Sequence, residues 1–204
     1  MLYKQAIRPD TLDTLRRIQA LPELSGTRLV GGTALALQLG HRLSIDIDLF
    51  GIWDRRADIG KILGRCGTVR EEHRTENIRV FNVDDIKVDL VYYEYAWLSP
   101  ARETEGIRMA AITDIAPMKV EAINSRGSKK DFLDLAFLLD QHPLGEILIW
   151  YRDKYPQGSE YLALRSLVYF DDAEEDPMPV MLQPMTWETA KERIRRAVRG
   201  QALA

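Results

Sequence analysis

Two short acidic stretches of this chain have the residue types and spacing to do chemistry together. In Ile45-Asp46-Ile47-Asp48-Leu49 apolar and acidic residues alternate strictly, and Ile86-Lys87-Val88-Asp89-Leu90-Val91-Tyr92 alternates again. Alternation predicts a half-buried strand, because successive side chains of a strand point to opposite faces. Ile45, Ile47 and Leu49 then share the buried face, and Asp46 and Asp48 share the other, about 7 Å apart at a rise of ~3.3 Å per residue. In the later strand Ile86, Val88 and Leu90 share one face and Lys87, Asp89 and Val91 the other. If the two strands lie side by side, Asp46, Asp48 and Asp89 converge from one side of a sheet. Carboxylates in that arrangement suit a pair of hard divalent cations, Mg²⁺ or Mn²⁺. One ion would activate an attacking hydroxyl; the other would hold a triphosphate and steady the leaving pyrophosphate.

Just upstream, the apolar run Leu29-Val30 breaks at Gly31-Gly32. Thr33 is placed to cap an apolar helix, Ala34 to Leu39, which Gly40 stops. His41, Arg42 and Ser44 lead into the acidic strand. With no Cβ in the way, a diglycine turn lets backbone N–H groups approach a phosphate at the N-terminus of the following helix. The turn lacks the Gly-Lys-Ser/Thr of a P-loop. Downstream, Lys119 falls on a helix from Thr113 to Asn124. Asp131 and Asp134, one turn apart, fall on a helix from Lys129 to Gln141, beyond a break at Ser125-Arg126-Gly127-Ser128. Without the upstream unit, Lys119 and Asp131 read as a solvated ion pair on a helical hairpin.

GGT followed by R-x-S-x-D-x-D-L-F within one strand–helix–strand unit resembles the nucleotidyltransferase superfamily of DNA polymerase beta. More closely it resembles the AbiEii/AbiGii toxin family of bacterial nucleotidyltransferases, where a G-[GS]-[TS] turn precedes R-[FLY]-S-x-D-[IL]-D-[LF]. The block APMKVEAINSRGSKKDFLDLAFLL is similar to that family's downstream motifs, a lysine on one helix and [KR]-D-x-x-D-L on the next. The resemblance implies Asp46, Asp48 and Asp89 as catalytic metal-site residues. It implies Gly31, Gly32, Thr33, Arg42, Ser44 and Lys119 as nucleotide-binding residues. Lys119 would offer a cation to the triphosphate. Asp131 would orient that lysine or take the acceptor's proton, with Asp134 in second place.

The implied activity is transfer of a nucleoside monophosphate from an NTP with Mg²⁺ (or Mn²⁺). The expected acceptor is RNA, notably a tRNA end, and the protein would be the toxin of a toxin–antitoxin or phage-defence system with a cognate antitoxin protein. Two rivals share the motifs: an enzyme modifying a small molecule such as an aminoglycoside, and a nucleotide- or partner-binding module without catalysis.

The elements around these residues predict an α/β fold: a small mixed, mostly antiparallel sheet flanked by helices, then a helical C-terminal part. Residues 1–112 are expected as the nucleotidyltransferase core and 113–204 as helices packed on it. Strands are expected at Thr68–Arg74 and Asn77–Val83, with Asp84-Asp85 as a hairpin turn, and Ile107–Met109 as an edge strand. The 204 residues, 46% hydrophobic and 29% charged, describe an ordinary globular chain. A net charge of −3 gives no overall pull towards nucleic acid, so RNA binding would need a local patch. One cysteine, Cys66, excludes an internal disulfide and fits a reducing compartment. No apolar leader opens the chain and no run has the length of a membrane span, so a cytoplasmic protein without membrane partners is expected. His41, His73 and His142 lack ligand spacing. The acidic run Asp171 to Asp176 reads as a solvated loop.

Overall fold

The computed structural model describes residues 2–201, and the chain divides into two compact units. Met1–Glu94 with Pro100–Ala110 make the first, and Tyr95–Ser99 with Ala111–Ala204 the second.

The first unit is built on a seven-stranded sheet. Its strands are β1 (Thr27–Leu29), β2 (Ile47–Gly51), β3 (Val69–Arg74), β4 (Ile78–Val83), β5 (Ile86–Tyr92), β6 (Arg102–Thr104) and β7 (Ile107–Met109), in the spatial order β3-β4-β5-β2-β1-β7-β6. The pairings β2–β5 and β1–β7 are parallel and the other four antiparallel. The expected mixed, mostly antiparallel sheet is what forms. Alternation explains the strands: Ile86, Val88 and Leu90 are buried on β5 and Ile47 and Leu49 on β2. The β4–β5 turn carries positive φ at both Asp84 (49°) and Asp85 (63°). Two-residue hairpin turns need that geometry, and aspartate tolerates it.

Two expectations are corrected. Ile107–Met109 is not an edge strand, because Arg102–Thr104 pairs outside it and forms the edge. Ile45 is 61% exposed, outside β2, so the buried face of that strand begins at Ile47.

Helix α1 (Pro9–Gln19) has proline at its first position and buries Leu12, Leu15 and Ile18 on one face. Helix α2 (Gly31–Leu39) buries every residue from Thr33 to Leu37, which makes it an interior helix rather than an amphipathic one. A short α3 (Ile59–Leu63) is capped by the Asp58 carboxylate accepting from Lys61 N at 3.0 Å.

The second unit is helical: α4 (Ile112–Ser125), α5 (Lys129–Leu138), α6 (Leu144–Lys154), α7 (Glu160–Ser166) and α8 (Trp187–Gln201). Helix α4 packs on α5, α6 and α7, and α5 packs on α8. A buried ion pair explains why Tyr95–Ser99 belongs here. Lys154 Nζ donates to Asp114 at 2.7 Å, and both side chains are fully buried. The same carboxylate accepts from the backbone N–H of Leu98 (2.9 Å) and Ser99 (3.2 Å), while Lys154 also reaches the carbonyl of Ala96 and lies 4.7 Å from the centre of the Trp97 ring. Buried charge persists only when paired and hydrogen-bonded in this way.

The acidic run is more than a solvated loop. Asp176 accepts the backbone N–H of Lys129 at 2.9 Å at the start of α5, the Lys129 ammonium bonds the carbonyls of Glu174 and Asp176, and Glu174 accepts from Lys191 and the Trp187 indole of α8. It fastens two helices. No helix among the described residues is long and apolar enough to cross a membrane.

Candidate active site

Strand pairing brings two of the predicted carboxylates together. β2 and β5 run parallel with Asp48 opposite Asp89, so the two side chains leave the same face of adjacent strands about 5 Å apart at the backbone. Lys87, two residues before Asp89 and on the same face, donates to Asp89 Oδ2 at 2.7 Å. The other oxygen, Asp89 Oδ1, is buried and has no hydrogen-bond partner among the described residues. Burial works against the Lys87 ammonium. The hydrogen bond and charge of Asp89, with the charges of Asp46 and Asp48, outweigh it and hold Lys87 above the ordinary lysine value.

Asp46 lies ahead of β2 and is half-buried, like Asp48. Among the described residues, no three carboxylate, histidine or cysteine side chains stand ready as a metal cage. Strand register accounts for Asp48 and Asp89, while Asp46 precedes the paired residues. The donor set still fits a hard divalent cation. Mg²⁺ keeps several waters and binds through one or two carboxylates plus substrate phosphates, and an orphaned buried carboxylate oxygen offers a free lone pair.

Thr33 is not the cap of α2. The helix starts at Gly31, and the buried Thr33 hydroxyl sits 2.8 Å from Ser44 Oγ and 2.5 Å from the carbonyl of Asp46. Thr33 and Ser44 thus position the segment leading to the carboxylates, and their hydroxyls face each other. The glycines are required for reasons of space. Gly31 has φ +66°, and a Cβ there would lie 2.4 Å from Asp48 Oδ2. A Cβ on Gly32 would lie 2.1 Å from Arg42 Nη2. The open face expected over Gly32 is taken by the guanidinium of Arg42, itself only 4% exposed, which places a cation beside the N-terminal turn of α2.

From this follows a prediction. Gly31→Ala forces a left-handed alanine against the Asp48 carboxylate, at a cost of about 1–3 kcal/mol. Melting curves should show that loss, and any nucleotidyl transfer should fall further than the lost folded fraction explains. Full activity would detach Asp48's placement from the turn.

Lys119, Asp131 and Asp134 lie in the second unit, where they form one buried cluster. Lys119 Nζ is 2.8 Å from Asp131 Oδ1 and 2.6 Å from Asp134 Oδ2, with the lysine side chain 4% exposed and both carboxylates fully buried. Asp131 also accepts from Arg126 Nε (2.9 Å) and Nη2 (3.2 Å) and from Ser128 Oγ (2.6 Å). Burial alone would push the Asp131 carboxyl up; Lys119 and Arg126 outweigh it and hold it well below the usual carboxylate range. A carboxylate held so low is a weak proton acceptor. The solvated-pair alternative is excluded by the burial.

The family model for "Nucleotidyl transferase AbiEii toxin, Type IV TA system" matches residues 13–200. The chain belongs to the AbiEii nucleotidyltransferase toxin family. It is a nucleotidyltransferase, and the family implies an NTP substrate and a divalent metal. The chain is 34% identical to the uncharacterized protein aq_aa25 of Aquifex aeolicus (strain VF5), over 95% of its own length and 96% of that protein's. The fold is shared with MenT4, a nucleotidyltransferase toxin from Mycobacterium tuberculosis H37Rv (TM-score 0.59, 15% identity, 94% of this chain and 84% of that one). It is also shared with the antibiotic-resistance factor ANT(2″)-Ia (TM-score 0.55, 17% identity, 76% and 96%).

Within this AbiEii protein, three residues of the two clusters escape motif reading. Lys87 had the same-face spacing to Asp89, but a lysine on a strand gives no sign of what it neutralises. Arg126 and Ser128 look like a helix break. The pattern Ser-x-x-Asp at 128–131 is a helix-start signature, and here the serine side chain donates to the aspartate rather than accepting from the backbone.

Proposed function

We propose that this nucleotidyltransferase transfers a nucleoside monophosphate from an NTP to RNA, most specifically to a tRNA end, with Mg²⁺, as the cytoplasmic toxin of a pair whose antitoxin is a separate protein. The observation that carries the metal-dependent chemistry is the Asp48–Asp89 register pair with its unpartnered buried oxygen. RNA and the antitoxin rest on the toxin family. A divalent cation held there would neutralise triphosphate charge and acidify the acceptor hydroxyl.

The protein's own residues do the rest. Asp48 and Asp89 fix two hard oxygen donors on adjacent strands, with Asp46 as a further ligand. Gly31 leaves room for Asp48, and Thr33 and Ser44 hold the approach to β2. Arg42 and the first N–H groups of α2 supply positive potential for phosphate oxygens. The family motif adds Lys119 as a charge-stabilising residue and Asp131 as the group that orients it. The acceptor hydroxyl gives up its proton to solvent, its oxygen bonds to the α-phosphorus, the bond to the bridging oxygen breaks, and pyrophosphate leaves.

The test is incubation with each α-³²P-labelled NTP, Mg²⁺ and either total RNA or a panel of aminoglycosides, with Asp48→Asn as the control. Label in RNA, lost in the control, is the expected result. Label only in a drug would replace RNA as the acceptor, and no transfer under any condition would overturn the proposed reaction.

A further inference from the structure

Lys87, on the carboxylate face of β5, is that strand's one basic residue. Its ammonium is 2.7 Å from Asp89 Oδ2, the carboxylate paired in register with Asp48. Its side chain is 46% exposed, so the four-carbon stem can swing the charge into solvent without unpacking the core. Asp89, by contrast, is held in the middle of β5, with one oxygen on Lys87 and the other buried without a hydrogen-bond partner among the described residues. Two carboxylates on adjacent strands repel each other unless a positive charge lies between them.

We infer that Lys87 is a displaceable counter-ion, which stabilises the carboxylate site when no metal is bound and must leave Asp89 when a divalent cation enters, so that it sets the metal affinity of the site. This rests on the carboxylate pair as the metal site. A doubly charged ion and an ammonium cannot share one carboxylate at contact distance without strong repulsion. Lys87 therefore competes with metal, and a site of this kind holds free ions weakly until a triphosphate brings further ligands.

The experiment titrates the full chain with Mn²⁺ alone, without nucleotide, and follows free Mn²⁺ by electron paramagnetic resonance. Wild type, Lys87→Met, Lys87→Gln and Asp48→Asn are compared, and melting temperatures are taken with and without the ion. Removing one charge at about 4 Å from a divalent ion should tighten Mn²⁺ binding at least about tenfold, even with water-like screening. Both Lys87 variants should melt lower than wild type without metal and gain more from Mn²⁺. Asp48→Asn should bind more weakly than wild type. Equal or weaker Mn²⁺ binding in both Lys87 variants, with wild type binding and Asp48→Asn not, overturns the inference and leaves the metal site standing. Failure of wild type and both Lys87 variants to bind overturns both.

Discussion

Asp48→Asn should reduce nucleotidyl transfer by at least about 1,000-fold, because a metal-held charge is worth several kcal/mol in the transition state, while leaving the fold intact. Asparagine keeps the shape that fits against Gly31, so the turn and the β2–β5 register are undisturbed. Removing one of several like charges relieves repulsion in the metal-free protein, so its melting temperature without metal should not fall by more than a degree or two for a chain of this size. Single-turnover transfer of labelled nucleotide, with melting curves beside it, reads both quantities. Normal transfer in a well-folded Asp48→Asn protein would remove the carboxylate pair from the reaction.

The second large effect falls on stability. Lys119→Met leaves Asp131 and Asp134 buried without their shared cation, and breaking a buried pair by removing one partner costs about 3–5 kcal/mol. For this length that is a drop in melting temperature of roughly 6–20 °C. A surface pair would cost about 1 kcal/mol at most, so the melting curve alone separates the two. Transfer is then measured where each variant is still folded. If Lys119 also steadies the departing pyrophosphate, turnover in Lys119→Met falls at least about 100-fold with a smaller change in NTP affinity. In that case Asp131→Asn slows transfer too, and the double variant is little worse than either single one.

The same cluster fixes the sign of an acid effect. The folded-state pKa of Asp131 is depressed below its ordinary 3.8, so its contribution is fully present above about pH 4 and is lost as the pH falls below that value. Acid titration of stability should be shallower in Asp131→Asn than in wild type. Identical acid profiles would mean that Asp131 contributes nothing through its charge.

How much of this was legible beforehand follows from the range of the interactions. Period-two alternation in IDIDL and IKVDLVY is a property of neighbours in sequence. It identified β5 and most of β2 and put Lys87 and Asp89 on one face. It overreached at Ile45 and Asp46, where the Asp46 carbonyl is tied to Thr33 before the strand begins. Spacing alone also placed α4 and α5, with α5 ending at Leu138, short of the expected Gln141. The motifs then carried the family, because GGT, R-x-S-x-D-x-D and K…D-x-x-D are themselves local strings.

What local patterns cannot contain is which distant segments meet. The parallel β2–β5 pairing that sets Asp48 opposite Asp89 closes a loop of some forty residues, and its register is decided by the packing of both buried faces at once. The seating of Arg42 against Gly32 and of Lys87 against Asp89 likewise depends on backbone placed first by the sheet. Lys119 and Asp131 read as a surface pair because charged residues on helices are usually solvated. Their burial is a consequence of α5 being enclosed on nearly every side, and only the tertiary structure encloses it. The sequence determined the chemistry available to this protein; the fold decided which charges face one another and which of them water can reach.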